Sequence, residues 1–314
     1  MKANTIKKVL SSKVNAWLLT IDDPATVEAL QNNIIVTGGC IASMLLREQV
    51  NDFDIYFRTK AAALAAARYY VKQFEVKNAK GIPCEIRVED SGGRVRIIIK
   101  SAGIASEDGT TQPYEYFESN KDETVGAGYV SAVMQDPGEI EDVYQETEAK
   151  ALAAEDDGKP VYRPVFMSTN AITLSHRIQL ILRFFGEPEE IHENYDFVHC
   201  TNYWASWDNS LTLRQPALES LLARELRYVG SKYPICSIIR LRKFIRRGWT
   251  INAGQILKMA MQVSELDLED LSVLEDQLTG VDVAYFIEVV NKLRDKDPEK
   301  VNSAYLIEII DRLF

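Results

Sequence analysis

The chain has 314 residues, of which 46% are apolar and 26% charged, and this composition indicates a globular protein of about two domains. The sequence has no run of about 18 uncharged apolar residues and no N-terminal apolar stretch typical of a signal peptide, so we expect a cytosolic protein without a membrane span. The four cysteines are far apart and form no C-x-x-C pair, which excludes a disulfide framework and the usual zinc modules.

The negative charge is concentrated in one segment. The chain as a whole carries −10, but residues 103–160 contain fifteen Asp and Glu against three Lys, a net charge of −12, so the remainder sums to +2. A low overall isoelectric point therefore does not argue against a polyanionic ligand, because local fields decide binding. We interpret 103–160 as an acidic insertion in a nearly neutral protein.

The order of predicted elements indicates an α+β half followed by a helical half. Alternating and apolar stretches predict strands, and a 3.6-residue period predicts helices. The expected elements up to residue 201 are helices at 5–19 and 24–31, a strand at 34–36, a helix at 41–48, a strand at 52–57, a helix at 60–74, a hairpin at 85–88 and 94–100, strands at 163–168, 172–175 and 178–184, a short helix at 187–193, and a strand at 195–201.

After Leu211 the helical period continues to the end of the chain, with leucines on one face at 218–226, at 271–278 and at 306–313. We therefore predict an α+β domain with a mixed sheet over 1–210, interrupted by the insertion, and an all-α domain over 211–314.

One short stretch combines a glycine turn with a pair of carboxylates. Gly38-Gly39 separates the strand at 34–36 from the following helix, and Asp52 and Asp54 lie on the next strand. Because side chains alternate along a strand, both carboxylates project from one face, whereas Phe53, Ile55 and Phe57 point to the core.

This combination is suited to a metal ion and a phosphate group. Two neighbouring carboxylates repel each other unless a cation lies between them, and Mg²⁺ often binds one or two carboxylates together with phosphate oxygens. The glycines permit close approach of the backbone, and the N-terminus of the next helix offers free N–H groups to phosphate. The alternative is a solvated strand end beside an ordinary turn, but the full strand–turn–helix–strand order favours the functional interpretation.

These motifs resemble the nucleotidyltransferase superfamily with the DNA polymerase β-type fold, and most closely the head of the tRNA CCA-adding and poly(A) polymerase group. The G-G-x-V-R-D-x-L-L pattern of that group falls on 38–46, and its D-x-D falls on Asp52 and Asp54. The Arg-Asp pair of the pattern is replaced here by Ala42-Ser43. The resemblance implies that Gly38, Gly39 and Ser43 surround the phosphates of a nucleotide.

The resemblance also implies a third carboxylate on a later strand, for which Asp196 in the Tyr-Asp-Phe segment is the candidate. Its implied role is that of a metal ligand or of a general base on the attacking hydroxyl. An ordinary edge-strand acid is the alternative.

The helical half contains a basic stretch at 238–247 with five Lys and Arg and no acid. On a helix, Arg240, Lys243 and Arg247 share one face, and Ile238, Leu241 and Ile245 share the other. The stretch is similar to the neck of the CCA-adding group, but the E-D-x-x-R motif that reads the base in that group is absent. A CCA-adding activity is therefore not expected. The basic face is interpreted either as a contact to a triphosphate or an RNA backbone, with Arg240 and Lys243 as nucleotide-binding residues, or as a solvated surface.

We therefore predict a nucleotidyltransferase that uses Mg²⁺ or Mn²⁺, bound by Asp52, Asp54 and Asp196, to move a nucleotide from a nucleoside triphosphate to an acceptor hydroxyl with release of pyrophosphate. The acceptor stays open between RNA or tRNA, a protein hydroxyl and a small molecule. Two alternatives also stay open: a non-catalytic nucleotide- or protein-binding module on the same fold, and a toxin- or defence-type transferase that modifies tRNA or protein.

Overall fold

The computed structural model describes residues 1–78, 84–91, 94–101, 161–167 and 170–268, together with Asp270, Val273 and Gln277. The acidic segment 103–160 and the helices expected near 271–278 and 306–313 lie outside the described residues, apart from those few positions. The described chain divides into two compact units. The first contains the described residues up to Ile191 and Asn202–Leu213, and the second contains His192–Thr201 and the described residues from Arg214 onward.

The first unit is an α+β structure whose elements closely match the expected ones. Its helices are α1 (Ala3–Leu18), α2 (Pro24–Leu30), α3 (Gly39–Leu46) and α4 (Lys60–Asn78), and α5 (Pro188–His192) begins at its end. Its strands are β1 (Ile34–Thr37), β2 (Phe53–Phe57), β3 (Cys84–Ser91), β4 (Arg94–Ser101), β5 (Pro164–Met167), β6 (Ala171–Leu174), β7 (Ile178–Phe185), β8 (Tyr203–Ala205) and β9 (Ser210–Thr212).

Seven of these strands form one mixed sheet in the order β5-β6-β7-β2-β1-β8-β9. The central β2 and β7 are parallel, and all other neighbours in this sheet are antiparallel. The mixed sheet is thus confirmed, whereas β8 and β9 were not predicted, because strands of three residues are too short to show an alternating pattern. β3 and β4 pair separately as the expected hairpin.

The core lies on one face of the seven-stranded sheet. Alternate residues of the central strands point into it, including Phe53, Ile55 and Phe57 of β2, which are 8%, 1% and 0% exposed. The alanines of α4 are small enough for the helix to pack against β2 and β7, and they are fully buried on that side. A buried hydrogen bond from the Trp17 indole N–H to the Tyr70 hydroxyl, 2.8 Å long, joins α1 to α4.

The described part of the second unit is mainly helical. It contains a 3-10 turn (Val198–Cys200), helices α6 (Gln215–Ala223), α7 (Pro234–Arg246) and α8 (Ala253–Ser264), and the two-residue parallel strands β10 (Glu225–Leu226) and β11 (Thr250–Ile251). The expectation of an all-α second half is therefore corrected by this small β pair. None of the helices in the described ranges is long and apolar enough to cross a membrane.

The strand predicted at 195–201 is not formed. Phe197 makes only an isolated β-bridge to Tyr228, and the next residues turn into the 3-10 helix. The backbone N–H of Val198 donates to the Arg227 carbonyl, and the N–H of Val229 donates to the Asp196 carbonyl. The apolar alternation of this segment therefore reflects burial inside the second unit, because Phe197 packs edge-on against Tyr228 and Phe244 there.

Candidate functional site

The glycine turn follows a strand that is buried along its whole length. β1 ends at Thr37, whose hydroxyl donates to the Asn202 carbonyl at 2.9 Å. Gly38 then adopts φ 92° and ψ −153°, a region that is essentially restricted to glycine, and α3 begins at Gly39. A Cβ built on Gly39 would have no heavy atom within 4 Å, so open space lies over the first residue of the helix. A phosphate group can approach the backbone N–H groups of this helix end through that space.

The carboxylate pair lies beside this turn. The strand register pairs Thr37 of β1 with Asp54 of β2, so Asp54 is directly opposite the last residue before Gly38. Asp54 is half-buried, and Asp52, which immediately precedes β2, is exposed, whereas Phe53 between them is buried in the core. The alternation predicted for this strand is therefore observed. Two oxygen-rich side chains and a glycine turn meet at one end of two adjacent strands.

Ser43, the third residue expected near the phosphates, is the fifth residue of α3 and is only 6% exposed. Its main chain takes part in the end of this helix, where its carbonyl accepts the N–H of Glu48 at 2.8 Å. Ser43 thus lies one turn beyond the first residue of the helix, Gly39. Its contact with a phosphate stays a prediction.

Arg177 is a neighbour of the carboxylate pair that sequence reasoning missed. It lies in the tight turn between β6 and β7, where His176 and Arg177 both have left-handed backbone angles, φ 61° and 62°. The Arg177 carbonyl accepts the N–H of Phe53 at 2.7 Å, and its guanidinium donates to the Val50 carbonyl at 2.8 Å. Arg177 thus holds the loop that leads to Asp52. Non-glycine residues are disfavoured in such a turn, so the sequence offers no local signal for it.

Asp196 lies in the second unit and is 7% exposed. Its Oδ2 accepts a 2.6 Å charged hydrogen bond from Nη1 of Arg240, and its Oδ1 accepts the hydroxyl of Ser237 at 2.8 Å. The structure thus pairs Asp196, predicted as a metal ligand, with Arg240, predicted as a nucleotide contact. Among the described residues, no group of three or more His, Cys, Asp and Glu is placed so that it could hold a metal ion.

The basic stretch forms α7, as expected, but its buried side differs from the apolar face. The helix buries Pro234, Cys236 and Ser237, and the side chain of Arg240 is 30% exposed. Ile238 and Ile245, on the apolar face, are 45% and 50% exposed. The exposed cations of the helix are Arg242, Lys243, Arg246 and Arg247.

Two histidines are buried in the second unit. His192 is 6% exposed, and burial together with the nearby charge of Arg214 lowers its pKa to about 3. His199 is 1% exposed and packs against Phe244 and Trp249 at ring-centroid distances of 4.7 and 4.3 Å. Burial and the charge of Arg247 lower the pKa of His199 to about 3 as well. Both histidines are thus neutral in the folded protein near pH 7.

Solved structures similar to this chain include CCA-adding enzymes. The Thermotoga maritima CCA-adding enzyme complexed with tRNA is 13% identical at a TM-score of 0.39, over 91% of this chain and 56% of that enzyme. The Bacillus stearothermophilus CCA-adding enzyme in complex with CTP is 11% identical at a TM-score of 0.36, over 82% of this chain and 47% of that enzyme. The resemblance to CCA-adding enzymes that the motifs indicated is thus confirmed as a similarity to solved structures.

The comparison of sequences shows which protein family this chain belongs to. The model of the Gabija anti-defense 2 family matches residues 8–224, well over half of the chain, and the chain belongs to this family. A curated relative, Gabija anti-defense 2 of Bacillus phage SPbetaL7, is 24% identical over 139 residues. That match covers 44% of this chain and 33% of the relative, so the chain spans about a third of the relative's length.

Proposed function

We propose that the chain is a nucleotidyltransferase that moves a nucleoside monophosphate from a nucleoside triphosphate to an acceptor hydroxyl. The observation that carries the proposal is the register of β1 and β2, which sets Asp54 opposite Thr37 at the start of the glycine turn. The carboxylate pair and the open helix end thereby face one small region, as a reaction between a metal-bound phosphate and a hydroxyl requires.

The side chains present here suit Mg²⁺ or Mn²⁺. Asp52 and Asp54 supply carboxylate oxygens, the donor type that these hard cations prefer, and both are accessible to solvent in part. When bound, the metal would neutralise charge on the phosphates and favour ionisation of the attacking hydroxyl. The residues themselves bind and orient: Asp52 and Asp54 hold the metal, Gly39 admits the phosphates to the α3 N–H groups, and Gly38 provides the turn that aims them.

Asp196 keeps its proposed role as a metal ligand or general base. Its two side-chain oxygens each accept one hydrogen bond, from Arg240 and from Ser237. A carboxylate oxygen has a second lone pair, and carboxylates that bind metals commonly accept hydrogen bonds as well, so these donors would orient the group for that role.

The family name suggests the biological context. We propose that the chain counteracts the Gabija defence system by transferring a nucleotide to a hydroxyl of one of its components. A second candidate is a non-catalytic module that binds a component of that system. The observation that favours this second candidate is the ion pair of Asp196, since that pair gives the third predicted carboxylate a structural partner within the second unit.

The experiment incubates the protein with each α-labelled nucleoside triphosphate, Mg²⁺, and either the purified Gabija complex or total RNA. We expect label on one acceptor, its loss in Asp52→Asn and Asp54→Asn, and its retention in the matched control Glu28→Gln, an exposed acid on α2. Protection of phage in Gabija-containing cells is measured with the same variants. Absence of label together with full protection by Asp52→Asn and Asp54→Asn would support the binding module instead.

A further inference from the structure

A row of polar side chains crosses the face of the sheet that is opposite the core. The strand registers pair Asp54 with Thr37 on one side and with Gln179 on the other, and the pairing continues outward from both. Residues directly opposite each other on neighbouring strands share a face. In sheet order, the row is Thr173 of β6, Gln179 of β7, Asp54 of β2, Thr37 of β1, Tyr203 of β8 and Thr212 of β9.

This row is set apart from its surroundings. The residues just before and after Gln179 on β7, Ile178 and Leu180, belong to the core on the opposite face and are 0% exposed. On the same face, two residues further along β1 and β2, Ile35 and Tyr56 are 0% and 9% exposed. The members of the row are half-buried, except Thr37, which is fully buried. The row is therefore a polar, partly accessible border next to a covered apolar region.

The proposed reaction assigns different roles to the two parts of the row on either side of Asp54. Transfer of a nucleotidyl group is an in-line displacement, in which the attacking oxygen and the leaving oxygen lie on opposite sides of the phosphorus. If the pyrophosphate is held at the turn of Gly38 and Gly39, it leaves on the β1 side of Asp54. If the reaction axis runs along the row, the attacking hydroxyl approaches from the β7 side, where Gln179 and Thr173 follow each other.

We propose that Gln179 and Thr173 form the acceptor subsite, a site for a neutral hydroxyl group. The carboxamide oxygen of Gln179 accepts the hydrogen bond of the incoming hydroxyl, and the hydroxyl of Thr173 extends the contact to the acceptor. The new bond forms between the acceptor oxygen and the α-phosphorus, and the bond from this phosphorus to the bridging oxygen breaks. Pyrophosphate leaves with that electron pair, and the hydroxyl proton passes to solvent water. Gln179 orients the hydroxyl and takes up no proton, because an amide oxygen is too weak a base.

This inference rests on the proposed nucleotidyl transfer and assigns one side of its site to the acceptor. The test compares the wild type with Gln179→Met, which keeps the length of the side chain but removes its hydrogen-bonding atoms, and with Gln179→Glu, which keeps an oxygen acceptor. Thr212→Val, at the other end of the row, is the matched control. Each protein is measured for its Tm, its affinity for a non-hydrolysable triphosphate analogue, and its rate of label transfer over a range of concentrations of the purified Gabija complex.

We expect Gln179→Met to raise the KM for the acceptor about tenfold, the effect of one lost hydrogen bond, while the affinity for the analogue stays within twofold of wild type. Gln179→Glu should keep the KM for the acceptor closer to wild type, and Thr212→Val should leave it unchanged. Equal losses of analogue affinity and of transfer rate would assign Gln179 to the nucleotide and overturn the inference. An unchanged KM for the acceptor in both Gln179→Met and Gln179→Glu, with Gln179→Met folded, would overturn it as well. A wild type that labels no acceptor would instead contradict the proposed function itself.

Discussion

Arg240 and Asp196 form a partly buried ion pair that joins α7 to the segment around the 3-10 turn. The Nη1–Oδ2 distance is 2.6 Å, and Ser237, one turn before Arg240 on the same helix, donates to the other carboxylate oxygen. One carboxylate thus receives two donors from a single helix face. The contact spans 44 residues of sequence and stabilises the second unit from within.

Removing Arg240 should destabilise the protein. Arg240→Met leaves the carboxylate of Asp196 buried with one donor fewer, and we expect the free energy of unfolding to fall by about 3 kcal/mol, the lower end for buried pairs because the Arg240 side chain is 30% exposed. Denaturant unfolding measures the change. Lys243→Met, at an exposed position of the same helix, is the control and should change stability by less than about 0.5 kcal/mol. Equal stabilities of the two variants would show that the pair contributes nothing.

The two glycines of the turn should respond differently to alanine. Gly38→Ala forces a side chain into a backbone region that only glycine adopts readily, and should lower the free energy of unfolding by about 1–3 kcal/mol. Gly39→Ala adds a Cβ in open space and should leave the stability unchanged or slightly raised. The same Cβ occupies the approach of the phosphates, so triphosphate binding should be lost in Gly39→Ala. Unchanged binding, measured by calorimetry, would exclude the turn as the phosphate site.

The strained turn at His176 and Arg177 offers a test of positioning. Replacing both residues, His176→Asn with Arg177→Gly, supplies the sequence that left-handed turns favour and should keep or raise the Tm. The loop before Asp52 loses its donor to the Val50 carbonyl, so we expect a several-fold increase in the Mg²⁺ concentration needed for half-maximal transfer.

The matched control for this turn is Arg68→Ala, at an exposed position on α4, which should change neither quantity. An unaltered Mg²⁺ requirement in the turn variant would contradict the positioning role of Arg177.

Stability should decrease as the pH falls below about 6.5. The pKa of His199 is about 3 in the folded protein, below its ordinary value of 6.5, because of burial and Arg247. Between these two pKa values the histidine is protonated in the unfolded state and neutral in the folded state. As the pH falls, the free energy of unfolding therefore decreases by up to about 1.4 kcal/mol per pH unit for each such histidine. His199→Phe should reduce this slope by close to one proton near pH 5, and by much less near pH 7, where the histidine of the unfolded state is mostly neutral. A slope equal to that of wild type would show that His199 is protonated in the folded state.

The exposed cations of α7 give a test of polyanion binding. Lys243→Glu combined with Arg247→Glu should leave the Tm near wild type, since both side chains are exposed. If the helix contacts RNA, the affinity of the variant for total tRNA should fall. The plot of log affinity against log salt concentration should also become less steep, by the amount expected for about two lost phosphate contacts. Unchanged affinity for both tRNA and triphosphate would identify the face as a solvated surface.

The parts of this protein that could be predicted from sequence are those encoded within single elements. The alternation around Asp52 and Asp54, the glycine turn before α3, and most strands of the first unit follow from periodicities of two or 3.6 residues and from backbone angles that only glycine adopts readily. Short-range sterics and the burial of one face determine such features, so they can be recognised without knowing the partner strand.

Only the tertiary structure decided which elements become neighbours. The parallel pairing of β2 with β7 brings Gln179 beside Asp54 across more than 120 residues of chain, and the segment at Asp196 joins Arg240 instead of forming the strand that its pattern predicted. Partner choice depends on which arrangement buries the most apolar surface while every buried polar group keeps a hydrogen bond, a property of the whole chain. The sequence by itself therefore determined the carboxylates and the turn of the candidate site, and the packing of distant strands determined what stands next to them.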